Sequence, residues 1–277
     1  MITGKEKVCV QGMGKYGTFH ALKMKAYGTN IVCGVSKRSR LMNTHGIPVL
    51  DNMKDAVAKY NVDTSVVFVP AMYAKDAVLE SIDAGIKKIV IVTEHIPQYD
   101  ALYLYHVAKK KNVRIIGPNC PGLILPGISK IGIMPEKAFV PGDIAVISKS
   151  GTLMYEVSNY LSLHSSGIKV AIGLGGDPIT GTSIAEVFDW LIKKSITKVR
   201  IIGELGGNEE IDGIQHALDV GYKGEIKVFF AGRFAPKGKR MGHAGAIVRG
   251  YFGSVEYKEK ELKKLGITVA KTIPELI

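Results

Sequence analysis

Short, continuously apolar runs alternate with longer segments of helical character, and this alternation constrains the fold more than any other feature. Most of the runs are rich in β-branched residues and lack a polar residue at every second position. Such runs are typical of parallel strands that helices cover on both faces. The pattern therefore predicts a doubly wound α/β architecture. The predicted strands are Val8–Val10, Ile31–Val35, Ser65–Val69, Lys88–Thr93, Val113–Ile116, Ile144–Ser148, Lys169–Ile172, Val199–Ile202, Lys227–Phe230 and Ile267–Ala270. Predicted helices include Thr18–Tyr27, Asp76–Ala84 and Tyr99–Lys110.

Turn-forming residues interrupt this rhythm near the middle of the chain. The segment Gly117-Pro118-Asn119-Cys120-Pro121-Gly122 is followed by Pro126-Gly127 and Pro141-Gly142. Three such clusters leave little room for a long regular element. We therefore expect two α/β domains, residues 1–121 and 122–277, which a chain of 277 residues can accommodate.

The charge and composition limit the class of ligand. A net charge of +12 predicts an anionic partner. The basic residues are dispersed, with short clusters only, and no helix-turn-helix or aromatic stacking motif accompanies them, so a phosphate-bearing ligand is favoured over nucleic acid. No run of about 20 apolar residues predicts a membrane span. No signal peptide is visible, and Cys9, Cys33 and Cys120 lack metal-ligand spacing, so we expect a cytoplasmic protein without disulfides.

A glycine-rich turn joins the first predicted strand to the first helix. Gly12, Gly14 and Gly17 form a G-x-G-x-x-G pattern, with Lys15 and Tyr16 between the last two glycines. Backbone N–H groups at the start of such a helix can hold a pyrophosphate. An NAD site would carry an acidic residue after the second strand, whereas this chain reads Ser36-Lys37-Arg38-Ser39-Arg40. These cations favour NADP or coenzyme A. A tight turn that binds no ligand is the alternative.

One histidine lies in a basic, glycine-rich loop. His243 stands after Gly242 and close to Gly245, downstream of the basic segment Lys237–Arg240. An uncrowded imidazole near cations is suited to carrying a phosphoryl group. A surface loop with an incidental histidine is the alternative.

Two further turns follow predicted strands of the second set. Ser150, Gly151 and Thr152 open a helix and could bind an anion at its N-terminus, or could simply cap it. Glu204 lies in a glycine-rich turn at the end of another strand, where ligands bind in open α/β sheets. A carboxylate there could orient an imidazole.

These motifs, taken together, resemble one family. Collinear matches extend over nearly the whole chain and include Gly117–Gly122, Ser150–Leu153, Gly175–Ile179 and Ala235–Ala246. The chain is similar to the α subunit of succinyl-CoA synthetase (succinate–CoA ligase). The resemblance implies an N-terminal Rossmann-like CoA-binding domain followed by a flavodoxin-like parallel α/β ligase domain. It also implies that His243 is phosphorylated transiently, that Glu204 binds it, and that Ser150, Gly151 and Thr152 hold the phosphate.

The resemblance further implies a CoA site and a partner. Its expected CoA contacts are Gly12, Gly14, Lys15, Tyr16, Gly17, Ser36, Lys37, Arg40, Pro70, Thr93, Glu94 and Asn119. The turn around Cys120 would lie near the CoA thiol, although Cys120 is not expected to be a nucleophile. No metal site is expected on this chain. An ATP-grasp β subunit would carry ATP or GTP with Mg²⁺, as a heterodimer or an α2β2 assembly, and the acid would be a dicarboxylate.

Alternatives remain for the function. Citrate- and malate-type CoA ligases share the histidine motif. The nucleotide loop is one residue shorter than in the family, which favours a non-catalytic CoA-binding protein as a second hypothesis. An NADP-dependent dehydrogenase is a third, but it leaves the His243 loop unexplained.

Overall fold

The computed structural model describes residues 1–37, 43–233, 242–243, 246 and 252–277. Arg38, Arg40 and the basic residues Lys237, Lys239 and Arg240, all singled out by the sequence analysis, lie outside these residues. The chain divides into two compact units. Unit 1 comprises residues 1–134 and 179–181, and unit 2 comprises residues 135–178 and 182–277. The predicted functional boundary after residue 121 stays a prediction.

Unit 1 is built on a mostly parallel sheet with the strand order β3-β4-β2-β1-β5-β6-β7. Without the antiparallel edge strand β3, this is the strand order of a Rossmann fold. The strands are β1 (Val8–Gln11), β2 (Ile31–Val35), β3 (Asn43–Thr44), β4 (Ile47–Leu50), β5 (Thr64–Val67), β6 (Lys88–Ile91) and β7 (Arg114–Ile116). The helices are α1 (Lys15–Ala26), α2 (Met53–Tyr60), α3 (Ala71–Asp83) and α4 (Gln98–Lys110). An antiparallel hairpin of β8 (Gly122–Leu125) and β9 (Ser129–Gly132) completes the unit.

The described part of unit 2 contains five parallel strands in the order β11-β10-β12-β13-β14, which is the flavodoxin order. The strands are β10 (Pro141–Ser148), β11 (Ile168–Gly173), β12 (Lys198–Gly203), β13 (Glu225–Phe230) and β14 (Thr268–Ala270). The helices are α5 (Gly151–His164), α6 (Ile184–Lys193), α7 (Glu209–Asp219) and α8 (Val255–Lys264). Short 3₁₀ turns occupy Glu136–Ala138 and Ile273–Leu276. The predicted α/β fold class is therefore confirmed, and each predicted strand is present.

The continuously apolar strands are buried as expected. Val8, Cys9 and Val10 in β1 are fully buried, as are Val146 and Ile147 in β10. The described strands that the sequence did not predict are short: β3 and β4 on one side of the sheet, and the β8–β9 hairpin. Pro48 lies within β4, next to the two-residue edge strand β3, and a proline interrupts the pattern that predicts a strand. Cys9, Cys33 and Cys120 are free and buried.

A buried glutamine fixes helix α3 to the sheet of unit 1. The amide of Gln11, at the end of β1, donates to the carbonyl of Ala77 at 2.9 Å. Its carbonyl oxygen accepts from Ser65 at 2.7 Å and from Ser81 at 2.8 Å. Because every polar atom of this buried amide group is engaged, α3 is held at the carboxyl end of β1.

The start of α1 approaches the preceding turn too closely for a side chain. A Cβ on Gly17 would lie 1.9 Å from the carbonyl oxygen of Gly12, whereas a Cβ on Gly14 would meet nothing within 4 Å. Gly17→Ala should therefore lower the free energy of unfolding by about 1–3 kcal/mol, as overpacking does. Gly14→Ala is the matched control, and it should change stability by less than about 1 kcal/mol. Chemical denaturation measures both, and equal stability of the two variants would contradict this account of the turn.

Candidate active site

The side chains of His243 and Glu204 form a hydrogen bond. Nδ1 of His243 lies 2.6 Å from Oε2 of Glu204, whose residue is only 4% exposed. A carboxylate can only accept, so Nδ1 carries the proton and Nε2 is the nitrogen with the free lone pair. The hydrogen bond to Glu204 raises the pKa of His243, although partial burial of the ring opposes the shift. The structure thus brings together the two residues that the sequence analysis proposed as a pair.

Parallel register explains why these groups meet. Ser148 at the end of β10 is paired with Gly173 in β11 and with Ile202 in β12. The carboxyl ends of these strands therefore lie at one edge of the sheet of unit 2. The residues that leave the strands there are Lys149 after β10, Leu174–Gly176 after β11 and Glu204 after β12. His243 contacts this edge at Glu204 and at Gly176.

Gly176 makes room for the imidazole. A Cβ at this position would lie 2.5 Å from Cγ and 2.7 Å from Nδ1 of His243. Atoms cannot approach that closely, so any larger residue would displace the ring from Glu204. The sequence analysis matched the segment that contains Gly176 to the family without assigning this glycine a role.

Charged side chains surround Glu204. Nζ of Lys149 lies 3.2 Å from Oε2 of Glu209 and 3.9 Å from Oε1 of Glu204. Burial lowers the pKa of Lys149, but the carboxylates of Glu209, Glu210 and Glu204 outweigh it and raise the pKa above the usual value. This edge therefore combines an imidazole whose Nδ1 binds a carboxylate with a cation that could neutralise an anion.

Helix α5 begins at the same edge, two residues after Lys149. Ser150 caps it, since its hydroxyl accepts from the N–H of Leu153 at 3.3 Å. The hydroxyl of Ser148 accepts from the N–H of Ser150 and donates to its carbonyl oxygen. Capping by Ser150 is thus present, and it leaves the roles of Gly151 and Thr152 as predictions. The first N–H groups of a helix have no partner within the helix and point toward any anion placed there.

A cavity of about 610 Å³ lies in unit 1 beside the glycine-rich turn. It is bounded by the end of β1, the start of α1, the end of β2 and one face of α3. The residues from the sequence analysis that line it are Gly12, Gly14, Lys15, Tyr16, Gly17, Ser36, Lys37 and Pro70. The volume lies in the range of small-molecule sites. The cavity thus gathers residues that are separated in sequence, as a dinucleotide-like ligand requires.

Three proposed CoA contacts do not line this cavity. The hydroxyl of Thr93 donates to the carbonyl of Val69 at 2.7 Å, and the carbonyl of Thr93 accepts from the N–H of Asn119 at 2.9 Å. Because Val69 itself lines the cavity, Thr93 and Asn119 lie near it at the carboxyl edge of the sheet. Glu94 is exposed, and its carboxylate is 3.5 Å from Nε2 of His95. Their contact with CoA stays a prediction.

The sequence analysis missed the contribution of α3 to this cavity. Tyr73, Asp76, Ala77 and Glu80 line it from one face of that helix. Spacings of three and four residues place them on a single face, so the signal was present in the sequence. It became recognisable only once the strand order placed α3 beside β1. Glu80 also lies 3.9 Å from Nζ of Lys37.

Cys120 is 3% exposed, and its Sγ lies 3.2 Å from the carbonyl oxygen of Ile91. The thiol is thus inside unit 1 and directed at a backbone acceptor, and its expected lack of nucleophilic function stays a prediction. Among the described residues, no helix is long and apolar enough to cross a membrane. Likewise, that part of the chain shows no group of three or more His, Cys, Asp and Glu side chains suited to a metal.

Two family models match the chain, one described as a CoA binding domain over residues 3–95 and one described as CoA-ligase over residues 147–267. The chain is 42% identical to succinate–CoA ligase [ADP-forming] subunit alpha 2 of Archaeoglobus fulgidus, over 100% of this chain and 96% of that protein. It is 39% identical to the malate–CoA ligase subunit alpha of Methylorubrum extorquens, over 98% of this chain and 93% of that protein.

Among solved structures, the fold is similar to that of ATP citrate lyase from Methanothrix soehngenii, in complex with citrate and coenzyme A. The TM-score is 0.88 at 21% identity, which shows a shared fold. The match covers 98% of this chain and 48% of that protein, so the chain spans about half the length of that structure.

The Glu204 hydrogen bond should be visible in the titration of His243. Glu204→Gln removes the carboxylate that favours the protonated ring, so the pKa of His243 should fall. Gly176→Ala should lower that pKa as well, because the added methyl group displaces the ring. Glu209→Gln is the control, since Glu209 does not bind His243, and it should leave the raised pKa in place. NMR of the imidazole resonances against pH measures all three, and an unchanged midpoint in Glu204→Gln would contradict the assigned bond.

Proposed function

The chain belongs to the family of succinate–CoA ligase α subunits, and we propose on that premise that it forms a thioester between CoA and a dicarboxylic acid with a phosphohistidine intermediate at His243. The enzyme class is that of the acid–thiol ligases. The hydrogen bond between His243 and Glu204 is the observation that carries the proposed chemistry. It leaves Nε2 as the nucleophile and places a carboxylate where the ring becomes positive.

The first step transfers a phosphoryl group to the histidine. Nε2 attacks the terminal phosphorus of ATP or GTP, the P–N bond forms, and the nucleoside diphosphate leaves with the bridging oxygen. The ring gains positive charge in this step, and Glu204 stabilises it through Nδ1–H. The N-terminus of α5, at Ser150, Gly151 and Thr152, is the proposed site for the phosphate oxygens, with Lys149 nearby as a neutralising cation.

The remaining steps use the stored phosphoryl group. A carboxylate oxygen of the acid attacks phosphorus, which breaks the P–N bond and gives an acyl phosphate. The CoA sulfur then attacks the acyl carbon, inorganic phosphate leaves, and the thiol proton is lost to the surroundings. Division of the reaction in this way replaces one difficult displacement by easier ones.

The cavity of unit 1 is the proposed site for CoA. It follows the glycine-rich turn that the CoA binding domain model covers. Pyrophosphate would bind at the N–H groups of α1, and the ribose phosphate near Ser36, Lys37 and Arg40. We assign CoA binding to residues 1–121 and phosphohistidine chemistry to residues 122–277. Thr93, Glu94 and Asn119 extend the proposed CoA site along the carboxyl edge of the sheet.

The α-subunit family implies a second subunit. We propose an ATP-grasp β subunit that binds ATP or GTP with Mg²⁺, in a heterodimer or α2β2 enzyme of the cytoplasm. Succinate is the preferred acid, since relatives that are 42% and 41% identical to this chain carry that name. The malate–CoA ligase relative makes malate the first competitor to test.

His243 should become phosphorylated when the chain is mixed with its partner subunit, ATP and Mg²⁺. The label should be labile in acid and stable in alkali, as a P–N bond is, and His243→Asn should abolish it. His216→Asn is the matched control, because His216 also binds a carboxylate, Asp189, at 2.7 Å but lies in α7. That variant should be labelled as wild type is. Label on the His243→Asn protein would exclude the mechanism.

The rate of phosphorylation should depend on pH through His243. A protonated ring cannot attack, so the rate should rise as pH increases through the raised pKa of His243. Glu204→Gln should shift this rise to lower pH and reduce the maximal rate, because the ring loses its stabilising carboxylate. Rapid-quench labelling across pH measures both effects, and the same rate profile in Glu204→Gln would exclude a catalytic role for Glu204.

The ribose phosphate of CoA should contribute to affinity. Dephospho-CoA should bind more weakly by about 1–3 kcal/mol, which is roughly 5- to 150-fold, the scale of a charge-assisted hydrogen bond. Lys37→Met should reduce this difference, whereas Lys25→Met, on the far end of α1, should preserve it. Isothermal calorimetry with both ligands is the measurement, and equal affinity of wild type for CoA and dephospho-CoA would refute the placement.

A further inference from the structure

Two oppositely charged side chains are completely buried next to Glu204. Lys258 of α8 and Glu210 of α7 are both 0% exposed, and Nζ of Lys258 lies 2.5 Å from Oε2 of Glu210. The ring of Phe230 lies over the ammonium group at 5.4 Å. Neither charged residue contacts His243 directly, and the steps proposed above do not use them.

Both members of this pair bind the backbone of Glu204. Nζ of Lys258 donates to the carbonyl oxygens of Glu204 and Gly206, each at 2.8 Å. Oε1 of Glu210 accepts from the N–H of Glu204 at 3.1 Å. All three protons of the ammonium group are therefore engaged, and both backbone polar groups of Glu204 are bound by a charged side chain.

Glu204 needs such support because of its position. Strand β12 ends at Gly203, so Glu204 is the first residue beyond the regular ladder. Gly203 also permits the approach of Glu210, since a Cβ there would lie 2.8 Å from Oε1 of Glu210 and 2.6 Å from the Phe230 ring. The pair thus binds the backbone N–H and carbonyl of the first residue after the strand, where the hydrogen bonds of the sheet have ended.

We propose that Lys258 and Glu210 are positioning residues for phosphoryl transfer, which hold the backbone of Glu204 so that its carboxylate meets Nδ1 of His243. The proposal rests on the proposed function, because the placement of Glu204 affects turnover only if His243 carries the phosphoryl group. An apolar pair of similar volume would serve stability as well, since a buried ion pair loses the hydration of both charges. An apolar pair would not supply directional hydrogen bonds to the backbone of Glu204, whereas the charged pair does.

Three other charged residues lie around Glu204 and His243. Lys149 approaches from the end of β10, Asp177 from the segment after β11, and Glu209 from the start of α7. Lys149 opposes protonation of His243, and Asp177 favours it. Variants of Lys258 and Glu210 leave these three residues unchanged.

The test uses Lys258→Met and Glu210→Gln in the full chain. Two properties are measured: the rate of His243 phosphorylation with the partner subunit across pH, and the NMR titration midpoint of His243 in the unphosphorylated chain. Both variants should be phosphorylated about ten- to a hundredfold more slowly, as small misplacements of a catalytic group cause. The His243 midpoint should fall, because Glu204 no longer meets Nδ1. CoA affinity should stay at the wild-type value.

Arg200→Met is the matched control. Arg200 is a cation of β12 that is 2% exposed and binds Glu225 at 3.1 Å and the carbonyl of Leu276, away from Glu204. Its removal should cost stability but preserve the phosphorylation rate and the His243 midpoint. Slowing in Arg200→Met equal to that in Lys258→Met would overturn the proposal in favour of a general loss of stability.

The phosphorylation rate and the titration midpoint of His243 distinguish a failure of this inference from a failure of the proposed function. If wild type is never phosphorylated but the midpoint falls in both variants, Lys258 and Glu210 do place Glu204 against His243, but the proposed function fails and with it their part in phosphoryl transfer. If wild type is phosphorylated and a folded Glu210→Gln protein keeps the wild-type rate and midpoint, the positioning role fails alone. The isosteric Glu210→Gln variant decides the matter should Lys258→Met not fold.

Discussion

Parallel pairing is the constraint on which the rest of this structure depends. When strands run in one direction, their carboxyl ends reach the same edge, and the turns that follow them become neighbours. In unit 2 this brings Lys149, Gly176 and Glu204 together from three different turns. In unit 1 it gathers Gly12, Ser36 and Pro70 around one cavity. No single segment of the sequence contains either site, and each site is a product of strand register.

The distribution of charge at the edge of unit 2 differs from that of the chain as a whole. The chain carries a net charge of +12, yet three carboxylates, of Glu204, Glu209 and Glu210, converge near His243. Lys149 and Lys258 separate them, one partly accessible and one fully buried. Alternation of the two signs gives each carboxylate a cation as a neighbour in a place that is poor in water. The carboxylate that binds His243 thereby has the ammonium group of Lys149 as a further neighbour.

Much of the fold and part of both candidate sites could be predicted from the sequence, because the patterns that indicate them lie within short segments. Continuous apolar runs identified the strands of both parallel sheets, and the glycine-rich turn and the His243 loop were recognised from adjacent residues. The β3–β4 edge was missed because Pro48 interrupts an already short run, and β8 and β9 because glycines and prolines surround them. Tyr73 and Glu80 in the cavity, Gly176 against the imidazole and Lys258 beside Glu204 could not be assigned roles in this way. Their function exists only through contacts with residues that are distant in the chain, so it requires the three-dimensional arrangement.

The complete burial of Lys258 and Glu210 limits how often the backbone of Glu204 is exposed to solvent. The amide proton of Glu204 is bound to a carboxylate that water does not reach. It can exchange with deuterium only when α7 or α8 opens away from β12, an event that belongs to the slow end of protein motion. The N–H of Glu204 is therefore expected to keep its proton far longer than exposed amides of the chain do. Contact of the His243 ring with solvent and opening of the backbone beneath it are therefore events of very different frequency.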